Sequence, residues 1–144
     1  MSGEDSLWGG EELATLEEIT EARDALRGYD DVLRTPMLVD WPLSSVGGAA
    51  TTRLSLKMES LQTTGSFKIR GMRYKLHRSN VEALRSAGIV TLSAGNAGRA
   101  VAHLAKASGL DAKVFMPDTA PDDRKALMES LGASVVKVPG ARLL

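Results

Sequence analysis

The sequence predicts an α/β fold in which a parallel, twisted sheet is flanked by helices. Short apolar strands alternate with amphipathic helices along the second half of the chain, and the connections between them are short. This order favours parallel strands joined by right-handed crossovers. The chain has 144 residues, 43% of them hydrophobic, which is enough for one core and too few for two full domains.

A polar tail and one helix are predicted ahead of the sheet. Residues 1–14 are polar and Gly-rich, so we expect them to be disordered. Thr15 and Glu18 form a capping box at the start of a helix over residues 15–28, which Gly28 can close in a left-handed conformation. One face of this helix carries its apolar side chains, namely Leu16, Ile19, Ala22 and Leu26.

An extended arm links this helix to the sheet. Pro36 disfavours helix in the residue before it, and residues 44–52, with Gly47-Gly48, are predicted to be a loop. Residues 15–52 are therefore an N-terminal arm, and residues 53–144 are the α/β lobe.

The α/β lobe is predicted to contain four strands with helices between them. The strands alternate in hydropathy or are short apolar runs, and they cover residues 53–58, 89–92, 112–116 and 134–138. The helices start at a capping residue or a proline. They cover residues 66–79 with Ser66 as cap, 80–87, 96–108 with Asn96 as cap and Gly109 at the end, and 121–132.

The composition argues against several classes of function. Lys and Arg number 18, as do Asp and Glu, and the absence of net charge argues against general nucleic-acid or membrane-surface binding. There is no cysteine and there are only two well-separated histidines, so we predict no disulfide and no metal site. No signal peptide or membrane-spanning run is evident, which makes a cytoplasmic location the expectation.

Lys68 follows one of three segments where ligands are expected. In parallel sheets, ligands bind in the loops after the carboxyl ends of strands, here residues 59–66, 93–96 and 117–121. Lys68 lies in the opening turn of a predicted helix, where unpaired amides disfavour a neighbouring ammonium and favour a neutral amine for Schiff-base chemistry. From spacing alone, an exposed lysine on a solvated face is the favoured interpretation.

The second segment joins a small-residue turn to a helix start. Backbone amides in such a turn can bind a carboxylate or a phosphate. The pattern matches neither a dinucleotide fingerprint nor a phosphate loop, and taken alone it favours a tight turn with Asn96 as a helix cap. Because this segment and the one before Lys68 follow successive strands, we expect both to open at the same edge of the sheet.

Four motifs occur in order between residues 15 and 139. They are Arg34-Thr35-Pro36-Met37, Leu56-Lys57-Met58-Glu59 leading into Thr64-Gly65-Ser66-Phe67-Lys68-Ile69-Arg70-Gly71, Ser93-Ala94-Gly95-Asn96, and Met116-Pro117-Asp118-Thr119-Ala120-Pro121. Together they resemble the fold-type II pyridoxal-phosphate enzymes. That group includes threonine and serine dehydratases, serine racemase, threonine synthase and cysteine synthase.

The resemblance implies a role for each site residue. Lys68 would hold pyridoxal 5'-phosphate as a Schiff base and then remove the substrate α-proton. Phe67 would pack beside the cofactor ring, and Asn96 would hydrogen-bond its phenolic oxygen. These two residues could also be a core aromatic and a helix cap. The substrate carboxylate would be held by backbone amides and the Ser93 hydroxyl in the loop formed by Ser93, Ala94, Gly95, Asn96 and Ala97.

Three residues narrow the implied activity to a lyase of amino-acid metabolism. Ile69 follows the lysine as in dehydratases and racemases. Ala94 stands where racemases have a serine acting as the opposite-face acid, which argues against racemisation. Ala97 gives the sequence Asn-Ala-Gly, which is similar to the form found in serine-dehydratase-like members. The implied reaction is β-elimination of a small hydroxy amino acid to a 2-oxo acid and ammonia, with the choice between threonine and serine left open.

Whole members of this group are more than twice as long and have a second lobe that contributes the phosphate-binding loop. We therefore expect this chain to be the smaller lobe and arm of a truncated dehydratase, with weak cofactor affinity, whose full-length form is a homo-oligomer. An alternative is a non-catalytic truncated product that associates with a full-length relative. A plain nucleotide-binding module ranks last, since no phosphate-loop glycine pattern is evident.

Overall fold

The computed structural model describes residues 13–42 and 53–140. The tail predicted to be disordered, apart from its last two residues, and the loop predicted at residues 44–52 lie outside these ranges. Within them, no helix is long and apolar enough to cross a membrane.

Each predicted helix and strand is present among the described residues, and a further strand lies in the arm, where the sequence predicts only an extended segment. The helices are α1 (Leu16–Leu26), α2 (Lys68–His77), α3 (Val81–Ala87), α4 (Asn96–Ser108) and α5 (Asp122–Ser130), and a 3-10 turn covers Glu59–Leu61. The strands are β1 (Met37–Pro42), β2 (Arg53–Lys57), β3 (Ile89–Leu92), β4 (Ala112–Pro117) and β5 (Ser134–Val138).

The predicted parallel sheet with flanking helices is confirmed. Strands β3, β4 and β5 pair in that order and all run parallel, with Val90 opposite Lys113 and Val114 opposite Val135. The side chain of Val114 is fully buried, as expected for the central strand of a sheet covered by helices.

The predicted membership of the first strand in that sheet is wrong. Strand β2 pairs antiparallel with β1 in a separate two-stranded sheet, with Leu38 opposite Leu56 and Met37 opposite Lys57. Its alternating pattern leaves most of its residues exposed, which is typical of antiparallel strands and not of strands buried on both faces. The arm that precedes β2 supplies its partner.

Helix α1 begins as predicted and ends differently. The Oγ1 of Thr15 accepts a hydrogen bond from the Glu18 amide at 3.2 Å, and the Glu18 carboxylate accepts one from the Thr15 amide at 2.7 Å, so the capping box is confirmed. The predicted left-handed Gly28 is wrong, because the chain leaves the helix through Arg27 in a right-handed conformation. Of the predicted apolar face, only Leu26 is buried.

The starts of α2 and α4 also correct the predicted caps. Helix α2 begins at Lys68, two residues after Ser66, whose Oγ accepts a hydrogen bond from the Lys68 amide at 3.3 Å. Asn96 is the first residue of α4 and does not cap it, because Gly95 occupies the cap position. Gly109 closes α4 in the left-handed conformation, as predicted.

The core lies between α2, α4 and the parallel sheet, and small residues on α4 allow close packing. A Cβ added at Gly98 would lie 3.0 Å from the Met128 Sδ and 3.2 Å from the Ser93 Cβ. Only glycine leaves that space, and the absence of a side chain lets the start of α4 rest against the end of β3 and against α5. The packing therefore fixes the turn that carries Ser93.

Candidate active site

The Lys68 amine is accessible at the start of α2. The side chain is exposed, and its Nζ lies 4.8 Å from the centre of the Phe67 ring. Within residues 13–42 and 53–140 the Nζ forms no hydrogen bond or ion pair. Phe67 is itself 57% exposed, so the predicted alternative of a core aromatic is wrong. The two side chains present an amine beside an aromatic surface.

The loop before Lys68 lies against the first turns of α4. Gly65 adopts a left-handed conformation with a φ of 71°, and a Cβ added there would lie 3.2 Å from the Arg99 Nη1. Arg99 is in α4, close to the predicted carboxylate loop. The first predicted ligand segment thus contacts α4, the helix that follows the second, although the two segments belong to different sheets. Thr64 in this loop is 2% exposed, and no described residue pairs with its Oγ1.

The turn from Ser93 to Ala97 is held in one conformation by hydrogen bonds. The Ser93 amide donates to the Phe115 carbonyl at 2.9 Å, and the Ser93 Oγ accepts from the Gly95 amide at 3.2 Å. The first amides of α4 have no acceptor within the helix, as at any helix start. Asn96 is exposed there, and the other four residues of the turn are partly buried. The turn can bind an anion such as a carboxylate.

Arg124 is part of this site and was missed from the sequence. Arg124 lies in the run of charges that follows Pro121, and its Nη1 donates to the Ala94 carbonyl at 3.0 Å. Arg99 and Arg124 line a cavity of about 330 Å³ beside Gly95 and Asn96. The rule that ligands lie after strand ends could have found Arg124, because its helix follows the third predicted segment.

Glu59 is the centre of a hydrogen-bond network that includes Arg70, which lies two residues after Lys68 in α2. Arg70 donates to both carboxylate oxygens, at 2.9 and 2.8 Å, and the Thr35 hydroxyl and the Gln62 amide add bonds of 2.5 and 3.2 Å. The hydrogen bonds from Arg70 are the largest cause that lowers the pKa of Glu59 from its usual 4.5 to about 2. Glu59 therefore stays ionised at neutral pH.

The same network ties the arm to α2. The Gln62 side chain exchanges two hydrogen bonds with the backbone of Leu33, at 3.0 and 2.8 Å, and the Arg70 Nη2 donates to the Leu33 carbonyl at 3.0 Å. The Lys57 Nζ donates to the Thr35 carbonyl at 2.5 Å. These contacts fix the first turn of α2, and with it the position of Lys68. The motif residues of the arm thus have a structural role that sequence reasoning did not assign.

The third predicted ligand segment is occupied by contacts within the chain. The Lys137 Nζ donates to the Ala120 carbonyl at 2.8 Å and to the Asp122 carboxylate at 2.6 Å. The hydrogen bond from Lys137 lowers the pKa of Asp122. Among the described residues, no group of three His, Asp or Glu side chains could hold a metal ion.

The residues around Lys68 fit an aldehyde cofactor. An exposed amine without a partner in the described residues can form a Schiff base, and an exposed ring stands beside it. The exposed Asn96 amide and the free amides of the adjoining turn can bind polar and anionic groups. Lys68, Phe67 and Asn96 are therefore exposed, and the partly buried residues of the turn adjoin the start of α4.

Comparisons with known proteins agree with this geometry. The family described as "Pyridoxal-phosphate dependent enzyme" matches residues 29–142. An L-threonine ammonia-lyase from Thermotoga maritima is 42% identical over 125 residues, which are 86% of this chain and 29% of that protein. A catabolic L-threonine dehydratase from Staphylococcus aureus is 35% identical over 124 residues, which are 86% of this chain and 34% of that protein.

A solved structure shows the same fold. The serine racemase from Dictyostelium discoideum aligns with a TM-score of 0.74 and 33% identity over 89% of this chain and 40% of the racemase chain. The chain spans 29–34% of the length of these two curated relatives. The family match covers the four sequence motifs, and the lysine, turn and sheet lie within it. The chain therefore belongs to the fold-type II pyridoxal-phosphate-dependent enzymes.

Proposed function

We propose that this chain carries the lysine-bearing part of an ammonia-lyase that acts on L-threonine or L-serine. The observation that carries the proposal is the accessible Lys68 amine at the start of α2, which follows a loop that contacts Arg99 of α4, the helix after the Ser93 turn. The 42% identity to a threonine ammonia-lyase supports the choice of reaction.

In this proposal Lys68, Phe67 and Asn96 hold the cofactor. Lys68 would hold the cofactor covalently through its amine, the Phe67 ring would pack beside it, and the Asn96 amide would hydrogen-bond one of its oxygens. When bound, pyridoxal phosphate supplies an electron sink for the charge left by loss of the α-proton.

The remaining steps belong to side chains and amides of this chain. The turn of residues 93–97 binds the substrate carboxylate through its amides and the Ser93 hydroxyl, which orients the α-carbon. Once the substrate amine has taken its place, the Lys68 Nζ would accept the α-proton. The β-hydroxyl would leave with a proton as water, and water would hydrolyse the released enamine. The net reaction thus converts a hydroxy amino acid into a 2-oxo acid and ammonia.

Ala94 supports elimination over racemisation. Racemisation requires an acid that delivers a proton to the opposite face of the α-carbon, and the methyl group of Ala94 cannot supply one. The Ala94 carbonyl is also engaged by Arg124 at 3.0 Å, which limits movement of the turn.

A chimera tests the proposal directly. Residues 15–140 would replace the matching segment of the Thermotoga enzyme, which supplies the rest of the fold. We expect release of a 2-oxo acid from L-threonine or L-serine, little formation of the D-amino acid, and loss of both activities in Lys68→Ala. A folded chimera that binds pyridoxal phosphate and racemises serine without releasing 2-oxo acid would contradict the ammonia-lyase assignment.

A second candidate is a non-catalytic chain that associates with a full-length relative. Large apolar side chains support it, because Leu16 on α1 is 79% exposed and Val90 on β3 is 65% exposed, and such surfaces favour association. Co-expression with a full-length relative followed by size-exclusion chromatography tests this candidate. Elution of the two proteins in separate peaks would remove its support.

A further inference from the structure

We propose that a second site, away from Lys68, binds a multivalent anion of the polyphosphate type. A groove of about 550 Å³ runs between α1, the arm, β2 and α2, and its volume lies in the range of small-molecule sites. None of the described residues that line it is acidic. The lining consists of Leu26, Val32 and Leu33 with five cations, Arg23, Arg27, Arg34, Lys57 and Arg70.

Neighbouring carboxylates offset only part of this charge. Asp24 pairs with Arg23 at 2.9 Å and with Arg27 at 3.2 Å, and Glu59 pairs with Arg70. Five cations against two carboxylates leave a surplus of three positive charges. A cleft lined by one sign of charge focuses the electrostatic field and raises the local concentration of counter-ions.

Two of the cations, Lys57 and Arg34, have no described carboxylate paired with them, so their full charge can act on a ligand. Lys57 donates to the Thr35 carbonyl, which is neutral, so its ammonium charge is not compensated. Arg34 is exposed, and within residues 13–42 and 53–140 it forms no hydrogen bond or ion pair. Its planar guanidinium can bind two oxygens of one phosphate group at once.

The distribution of the charges favours several linked phosphates over one small anion. The cations come from four different elements, so an anion that neutralises the surplus must reach across the groove. A polyphosphate carries several charges along a short chain and meets this requirement. The buried Leu26 and the partly buried Val32 give the groove an apolar wall against which an organic portion could pack.

The groove is distinct from the candidate active site but joined to it through α2. None of Phe67, Lys68 or Asn96 lines it. Arg70, however, lines the groove and also donates to the Glu59 carboxylate. In α2, Arg70 lies two residues after Lys68. The proposal does not depend on the ammonia-lyase assignment, because anion binding here requires neither pyridoxal phosphate nor Lys68.

Calorimetric titration of the 144-residue chain with inorganic tripolyphosphate, without pyridoxal phosphate and at constant ionic strength, tests the site. We expect binding at one site that weakens as salt is raised. Arg34→Ala should weaken it about ten-fold, because one charge-assisted contact is lost. The matched control Arg85→Ala, at an exposed arginine on α3, should leave the affinity unchanged, and Lys68→Ala should do the same.

Several outcomes would overturn the proposal. One is no binding by a chain whose circular dichroism shows it to be folded. Another is equal weakening in Arg34→Ala and Arg85→Ala, or no weakening in Arg34→Ala. If Arg34→Ala loses its helical signal, Arg34→Gln, which keeps most of the side chain and removes its charge, replaces it with the same expected ten-fold effect. Citrate serves as a tricarboxylate comparison, and equal affinity for citrate and tripolyphosphate would overturn the phosphate assignment.

Discussion

Replacing Glu59 with glutamine should destabilise the chain by a measurable amount. Glu59→Gln keeps the size of the side chain and removes the charge that Arg70 contacts at 2.8 and 2.9 Å. A pKa of about 2, against the usual 4.5, corresponds to about 3 kcal/mol of stabilisation at neutral pH by proton linkage. Solvent screening around the partly exposed pair reduces the expected loss to about 1–2 kcal/mol.

The pH dependence gives this prediction a definite sign. Because folding lowers the pKa of Glu59, the unfolded chain binds the proton more readily, and acid shifts the equilibrium toward unfolding. The contribution is complete above pH 4.5 and is lost as the pH falls toward 2. Urea unfolding followed by far-ultraviolet circular dichroism between pH 2 and 7 measures it. Glu59→Gln should lack this part of the pH dependence.

Glu82 provides the matched control for this experiment. It is an exposed glutamate on α3 that pairs with Arg85 at 3.7 Å, and such surface pairs contribute little. Glu82→Gln should change the free energy of unfolding by less than about 0.5 kcal/mol. Equal stability of Glu59→Gln and the unsubstituted chain at pH 7 would refute the network described for Glu59.

The remaining predictions concern packing and a buried ion pair. Gly98→Ala should cost about 1–3 kcal/mol of unfolding free energy, because its Cβ would meet the Ser93 Cβ at 3.2 Å; a thermal melt unchanged from the unsubstituted chain would contradict this. Gly71→Ala, in α2 with no atom within 4 Å of the new Cβ, should instead stabilise by about 0.5–1 kcal/mol, and a lower melting temperature would be the adverse result. Asp31→Asn should cost about 2–4 kcal/mol in urea unfolding, because it leaves the buried Arg73 without its anionic partner; a cost below 0.5 kcal/mol would show that the pair contributes little.

Most of the α/β lobe is predictable because its signals are local. Strands β3, β4 and β5 are short apolar runs, and Gly109 ends α4 where its left-handed conformation is required. Strand β2 was placed in the wrong sheet because pairing is a long-range property. Its antiparallel partner β1 lies in the arm. Pro36 indicates that the arm is extended, but it does not indicate which strand the arm pairs with.

The parts of the candidate site that lie in sequence motifs could be predicted. The contacts that long side chains make with residues distant in the sequence could not. Lys68 and the Ser93 turn follow from the order of the motifs. The contact of Arg124 with the Ala94 carbonyl joins residues 30 positions apart, and no periodicity encodes it. Asn96 was predicted to cap α4 because its side chain suits that role, but Gly95 takes the cap position, which leaves the Asn96 amide exposed at the helix start.

The central claim is that the Lys68 amine is the group that an aldehyde cofactor captures. Borohydride reduction of the 144-residue chain after incubation with pyridoxal phosphate, followed by proteolysis and mass spectrometry, locates the modified amine. We expect the label to concentrate on Lys68 and to exceed that on the exposed lysines Lys75, Lys106 and Lys113. A label spread evenly over these four residues, or absent from Lys68, would contradict the assignment of this lysine to the active site.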